Sequence, residues 1–242
     1  MKVRFIFIAH SVFVCLIILG AMGLAFSVSA ATVVVPGTAN PWLAGMPDGS
    51  MAFRLSQFDS APSQSPIQVL DINIVAGSLF SFRASGSVST TFNPSFFGPD
   101  GSSFGGHRNT ENGISGTTNN VAALVGIFLG PDRPDLSLAP PDTIFFPVHQ
   151  DYTLLSPGLR QVFFIGDGLT SMGVQQQVMV PDGATRLFLG VTDIFSVNGD
   201  NAGNFEVFVA VPEPGTLRLA LLAVVLLAGW NGLRGSRGSL LR

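Results

Sequence analysis

The chain has 242 residues, a single cysteine and a formal net charge of −3. Between its two apolar ends, Ala31 to Val211 carries six arginines, no lysine and fourteen acidic residues, which excludes the basic surface that nucleic-acid binding requires. That stretch also has no cysteine, so no disulfide framework supports it and its stability must come from a core or a bound ion.

The N-terminus places Lys2 and Arg4 before an apolar run, Phe5 to Phe26, and then Val28-Ser29-Ala30. This is the pattern of a secretory signal cut after Ala30, so residues 1–30 are expected to be a signal helix. The run exceeds the usual signal core, which leaves an uncleaved anchor as the alternative. Cys15 lies inside the run and reads as one of its apolar residues. Residues 31–65 read as an N-terminal extension ending in the short linker SAPSQS, Ser60 to Ser65. Trp42 in this extension has two readings, a platform for a sugar ring or a core residue.

Residues 66–211 read as one domain of strands. No stretch sustains helical spacing over three turns, whereas short β-rich runs bounded by Gly, Pro, Asn and Asp recur. The expected strands are Ile67 to Ile74, Leu79 to Ala84, Val121 to Phe128, Gln161 to Ile165, Gly173 to Val180, Arg186 to Val191 and Asn204 to Val211. In the last, Phe205, Val207, Val209 and Val211 alternate with Asn204, Glu206, Phe208 and Ala210, which directs one face into a core. A Pro-Asp-Gly turn, Val180 to Thr185, links two of these strands. Seven or eight such runs predict an all-β antiparallel sandwich. The Gly/Ser/Asn-rich segment 95–120 and the Pro/Asp-rich segment 131–147 stay outside this pattern, and loops of that length are functional or mobile.

The C-terminal residues 212–242 begin with Pro212-Glu213-Pro214, continue with an apolar run from Leu219 to Trp230, and finish with Arg234, Arg237 and Arg242. The prolines keep the preceding chain extended. A dozen residues span roughly 18 Å as a transmembrane-type helix, short of the roughly 30 Å hydrocarbon core, and the arginines hold the end on the cytoplasmic side. Motif, apolar run and basic end together resemble the PEP-CTERM sorting signal. The resemblance implies an exported protein recognised near Pro212, Glu213 and Pro214 by an exosortase-type membrane protease, with membrane association through both ends of the precursor. It implies delivery to the cell envelope, outer surface or extracellular matrix. An ordinary C-terminal anchor is the alternative.

The segment TDIFSVNGDNAGNF, Thr192 to Phe205, carries the chemistry. A strand ending at Asp193, a loop, and Asp200-Asn201 entering the next strand would bring three side-chain oxygens together. Calcium takes six to eight such oxygens. Asp, Asn and Gly also fill hairpin loops for backbone reasons alone, and this reading stays open.

Together with VLDINIVAGSLFSFRASGSVS (69–89), FGPDG (97–101), NNVAALVGIFLG (119–130) and FFIGDG (163–168), the segment resembles the galactose-binding-like, calcium-containing β-sandwich of bacterial galactophilic lectins. That resemblance implies a calcium ion held by Asp193, Asp200 and Asn201 and by backbone carbonyls near Val197 and Thr90. It implies a sugar-contacting histidine after the Gly-Pro-X-Gly turn, for which His107 is the counterpart here, while the family's glutamine has none. Extracellular polysaccharide is the partner this implies, and a surface or matrix component without sugar binding is the rival.

No enzyme is expected, and a secreted hydrolase with its chemistry in segments 95–120 and 131–147 is the remaining alternative. The two histidines of the body, His107 and His149, accompany no Gly-x-Ser-x-Gly elbow, His-Glu-x-x-His motif or cysteine nucleophile. Asp132, Asp135 and Asp142 read as solvated loop charges.

Overall fold

The computed structural model of the protein describes residues 28–54, 57–90, 95–145, 149–193 and 198–212. Residues 1–27 of the expected signal helix and the apolar C-terminal run lie outside the described residues, while Val28, Ser29 and Ala30 begin a strand instead of ending a helix. Among the described residues no helix is long and apolar enough to cross a membrane. The fold is all-β, and its one described unit runs from Ser29 to Val211.

Fourteen strands occur along the described chain: β1 (Val28–Pro36), β2 (Met51–Arg54), β3 (Gln57–Ser60), β4 (Ile67–Gln68), β5 (Leu79–Ser89), β6 (Gly105–Arg108), β7 (Thr117–Asn120), β8 (Leu124–Leu129), β9 (Thr143–Ile144), β10 (Leu154–Leu155), β11 (Val162–Phe164), β12 (Gln177–Met179), β13 (Arg186–Val191) and β14 (Ala202–Pro212). A five-stranded sheet has the order β1-β14-β5-β12-β10, and a four-stranded sheet the order β11-β8-β13-β4. Two smaller sheets, the β2-β3 hairpin and β6-β7-β9, complete the architecture. The long pairs β5/β14 and β8/β13 are antiparallel. The two-residue edge strands β9 and β10 run parallel to their neighbours.

The two main sheets share one core, as in a β-sandwich. Alternation along β14 buries Phe205, Val207, Val209 and Val211, while Asn204, Glu206 and Phe208 face solvent. Phe80 and Phe82 of β5 meet Phe128 of β8 and Phe163 of β11 from the opposite sheet. Phe128 and Phe163 stack with centroids 5.2 Å apart, and Phe80 meets Phe128 edge-on at 5.7 Å. Gly126 makes that stack possible: a Cβ there would lie 2.4 Å from the Phe163 ring.

Strand β8 is buried at every position, the signature of a strand covered on both faces. Leu124 and Phe128 enter the shared core, whereas Val125, Ile127 and Leu129 enter a second cluster with Trp42, Leu43, Ala52 and Ile114. The cover is the N-terminal segment. Residues 31–65, expected as an extension and linker, pack within the unit instead: β1 borders β14, and the turn Pro41–Leu43 with the β2-β3 hairpin lies on the outer face of the four-stranded sheet.

Trp42 is a core residue. It has no exposed surface, its Nε1 donates to the Ser115 carbonyl at 3.1 Å, and the buried Arg108 guanidinium lies 4.6 Å from its ring. The Pro-Asp-Gly turn, with Gly183 at φ +78°, crosses between sheets, from β12 to β13. Segments 95–120 and 131–147 hold β6, β7 and β9. Asp142 is structural rather than merely solvated, accepting from Thr110 Oγ1 at 2.8 Å and from the Gly116 amide at 2.7 Å.

Candidate metal centre

Strand ends from both main sheets converge at one end of the sandwich. The last residue of β5, Ser89, pairs with Ala202 at the start of β14, which sets Thr90 and Asn201 just beyond the same end of that pair. Strand β1 runs out beside them: the Gly37 amide donates to the Gly203 carbonyl at 3.0 Å. A Cβ at Gly37 would lie 2.9 Å from Val88 Cγ1 and 3.2 Å from Asn201 Cβ, so glycine permits this approach. From the other sheet, β13 delivers Thr192, whose amide donates to the Ala123 carbonyl at 3.0 Å and whose hydroxyl accepts from the Ala123 amide at 3.0 Å. Asp193 follows directly and is buried.

The tight turn Asn198–Asp200 closes the arrangement. Asn198 Nδ2 donates to Val191 at 2.6 Å and to Gly37 at 3.3 Å, and Asn201 Nδ2 donates to the same Gly37 carbonyl at 3.1 Å. An acceptor that both amides face fixes their nitrogens toward Gly37 and their oxygens away from it. Both oxygens, Asn198 Oδ1 and Asn201 Oδ1, are buried with no hydrogen-bond partner among the described residues. Leaving a buried acceptor unsatisfied costs about 1–3 kcal/mol.

The turn is held from the N-terminal side by Asp59 of β3. Its carboxylate, 2% exposed, accepts from the Asn198 amide at 2.6 Å, the Gly199 amide at 3.0 Å and Asn40 Nδ2 at 2.8 Å. Burial pushes the Asp59 carboxyl above the ordinary aspartate range, and the bonds from Asn40, Asn198 and Gly199, with the nearby Arg108 charge, pull it back.

Of the residues expected as calcium ligands, Thr90, Asp193 and Asn201 are buried at these strand ends, and Asp200 sits exposed on the turn. Val197 lies outside the described residues, as do Glu213 and Pro214 of the sorting motif; Pro212 ends β14. Among the described residues no group of three or more His, Cys, Asp or Glu is placed to hold a metal. A calcium set here must therefore rely on amide and carbonyl oxygens beside two carboxylates, a mixture that suits a hard cation. The orphaned Asn201 Oδ1 fits that donor set, and Asn198 Oδ1 adds an oxygen the sequence reading left out.

His107 occupies β6, with Nδ1 3.1 Å from Thr118 Oγ1 and Nε2 3.5 Å from Asp142 Oδ2. Neither partner belongs to the strand-end cluster. A second set of buried atoms without a hydrogen-bond partner among the described residues, Asn119 Nδ2, Asn120 Oδ1, Gln150 Nε2 and Gln176 Oε1, also escaped the sequence reading. Asn120 links it to Asp100 and Gln150 at 2.8 and 3.4 Å, and its equal mix of donors and acceptors is what enclosed water satisfies.

Comparison of the chain with protein-family models, with the curated proteins and with the solved structures gave no match in any of the three.

Proposed function

We propose that this chain is an exported, non-enzymatic, galactose-binding-like β-sandwich protein stabilised by calcium at the strand-end site. On this reading its precursor is sorted to the envelope or matrix and processed near Pro212, Glu213 and Pro214 by an exosortase-type protease. The observation that carries the calcium assignment is the pair of buried oxygens of Asn198 and Asn201 with no hydrogen-bond partner among the described residues, at the end of the sandwich to which β13 leads the buried Asp193. A divalent ion bound there would give the Asn198 and Asn201 oxygens the positive partner that a buried acceptor needs. Asp193, Asp200, Asn198 and Asn201 would hold it, with carbonyls near Thr90 and Val197. The chain's own contribution is to orient the donors: Gly37 turns both amides, and Ala123 anchors Thr192, the residue before Asp193.

A sugar-binding activity would use extracellular polysaccharide as partner, with His107 as the contacting histidine. One observation favours the rival, a structural surface component that binds no sugar: the described partners of His107 are Thr118 and Asp142.

Melting curves with calcium and with EDTA test the reading. A ligand at a hundred times its Kd stabilises by about 2.7 kcal/mol, which for a chain of this size shifts Tm by roughly 5–10 °C. The wild type in EDTA and the double variant Asp193→Ala, Asp200→Ala in calcium are expected to melt together, below the calcium-loaded wild type. An unchanged wild-type Tm on chelation rejects the calcium site. A glycan array read with and without EDTA separates the two roles, since chelator-sensitive binding supports the lectin and its absence the structural component.

A further inference from the structure

We infer that Asp59 is a positioning residue for the calcium site, so that cation binding and the seating of the N-terminal segment on the four-stranded sheet form one coupled equilibrium. The inference rests on the calcium reading above. Asp59 is 139 residues from Asn198 in sequence, yet its two carboxylate oxygens take the Asn198 and Gly199 amides at 2.6 and 3.0 Å. Those are the first two N–H groups of the turn that presents Asn198, Asp200 and Asn201. The backbone of the turn is thus fixed from outside the loop, by a group on the β2-β3 hairpin.

Such a contact costs desolvation of a carboxylate. It is maintained because three donors meet it, the third being Asn40 Nδ2 at 2.8 Å. Asn40 also caps the turn Pro41–Leu43, its Oδ1 accepting from the Trp42 amide at 3.0 Å. One carboxylate therefore connects three parts of the molecule: the turn that carries Trp42 into the second core, the hairpin, and the cation loop. Opening any of them breaks bonds in the others. Because coupling of this kind is reciprocal, whatever factor the seated hairpin adds to cation affinity, the bound cation adds to the seating of the hairpin.

Partners that orient metal ligands from outside the coordination sphere typically account for ten- to a hundredfold in affinity. Asp59→Asn keeps the shape and removes the charge and one acceptor. Calcium titration by calorimetry is expected to show affinity at least tenfold weaker than wild type. Hydrogen exchange supplies a readout that a merely structural role does not move. In the wild type, calcium is expected to slow exchange of the hairpin amides at 51–54 and 57–60, and in Asp59→Asn that calcium dependence is expected to vanish.

Equal calcium affinity in the two proteins overturns the inference, as does wild-type hairpin exchange indifferent to calcium. A wild type that binds no calcium fails earlier and visibly, and rejects the reading of the site itself. Should Asp59→Asn not fold, Asn40→Ala keeps the carboxylate and removes one of its donors. It is expected to weaken calcium about threefold, and unchanged affinity there counts against the coupling.

Discussion

Replacing Trp42 by alanine tests whether the N-terminal segment belongs to the cooperative fold. Trp42 is fully buried against the outer face of the four-stranded sheet, in the cluster with Val125, Ile127, Leu129 and Phe188. Loss of a buried tryptophan side chain costs about 3–5 kcal/mol in transfer and cavity terms. The Ser115 carbonyl loses its donor from Nε1, adding about 1 kcal/mol or more for a buried acceptor left unpaired. Arg108 loses the ring at 4.6 Å but keeps Glu111 at 2.8 Å, so its share is about 1 kcal/mol, the middle of the cation–π range. The total is about 5–7 kcal/mol, a large part of the 5–15 kcal/mol that holds an ordinary domain together. Urea unfolding in saturating calcium, followed by far-UV circular dichroism, is the assay. Trp42→Phe, which keeps most of the apolar volume and loses the N–H, is expected to cost only about 1–2 kcal/mol. If Trp42→Ala shifts stability by less than about 1 kcal/mol, or unfolds in two separate steps, the segment is an appendage and the two-core description is refuted.

Tyr152, the single tyrosine, gives a second expected outcome. Its hydroxyl donates to the Phe164 carbonyl at 2.7 Å, and burial pushes its pKa well above the ordinary tyrosine value. The stability contributed by the neutral phenol is complete below about pH 10, the unfolded value, and is lost as pH rises beyond it. Phenolate absorbance at 295 nm is therefore expected to appear with unfolding, and a midpoint near 10 in a protein still folded by circular dichroism would contradict the burial. For the sorting signal, intact-mass measurement of the secreted protein is expected to give a chain beginning at Ala31 and ending between Val211 and Gly215. Recovery of the whole tail in the mature pool counts against processing.

Strand patterns were legible where a single face decides them. The alternation from Phe205 to Val211 is visible in sequence and in the burial of β14, and β13 occupies the expected Arg186 to Val191. Boundaries failed where the backbone turns against local propensity. The strand expected from Val121 begins at Leu124, because Ala122 adopts φ +60° and donates to the Thr192 carbonyl. The run expected to Ile74 stops at Gln68, ahead of Asp71 at φ +60°. The strand expected from Gly173 starts at Gln177, since Gly173 at φ +75° belongs to a turn. The place of 31–65 had one available signal: Ala31, Val33 and Val35 point inward between exposed Thr32 and Val34, the period of a strand. At the candidate site, Asp193, Asp200 and Asn201 announce themselves by type and spacing. Asn198 does not, because its value as an oxygen donor depends on Gly37, which occupies its nitrogen. Asp59 could not be found from sequence, since nothing near it in the chain indicates a partner 139 residues away.

The position of the site explains why a cation would matter to this particular chain. The body has no cysteine, so no disulfide ties one sheet to the other. The strand-end cluster takes residues that follow β1 and β5, and one that precedes β14, from the five-stranded sheet, and Thr192-Asp193 from the four-stranded one. It is the point where a single bound ion would bridge both layers. At a hundred times its Kd, the ion would contribute about 2.7 kcal/mol, comparable to the 2–4 kcal/mol of a typical disulfide. Unlike a disulfide, that contribution depends on the surroundings. It would be absent where calcium is scarce and present where it is plentiful, so the sandwich would gain its full stability only on reaching a calcium-rich location. Folding in calcium-free buffer followed by calcium addition separates this from a purely apolar fold: Tm is expected to climb with calcium concentration and to keep climbing with its logarithm above Kd, and a Tm indifferent to calcium refutes the bridging role.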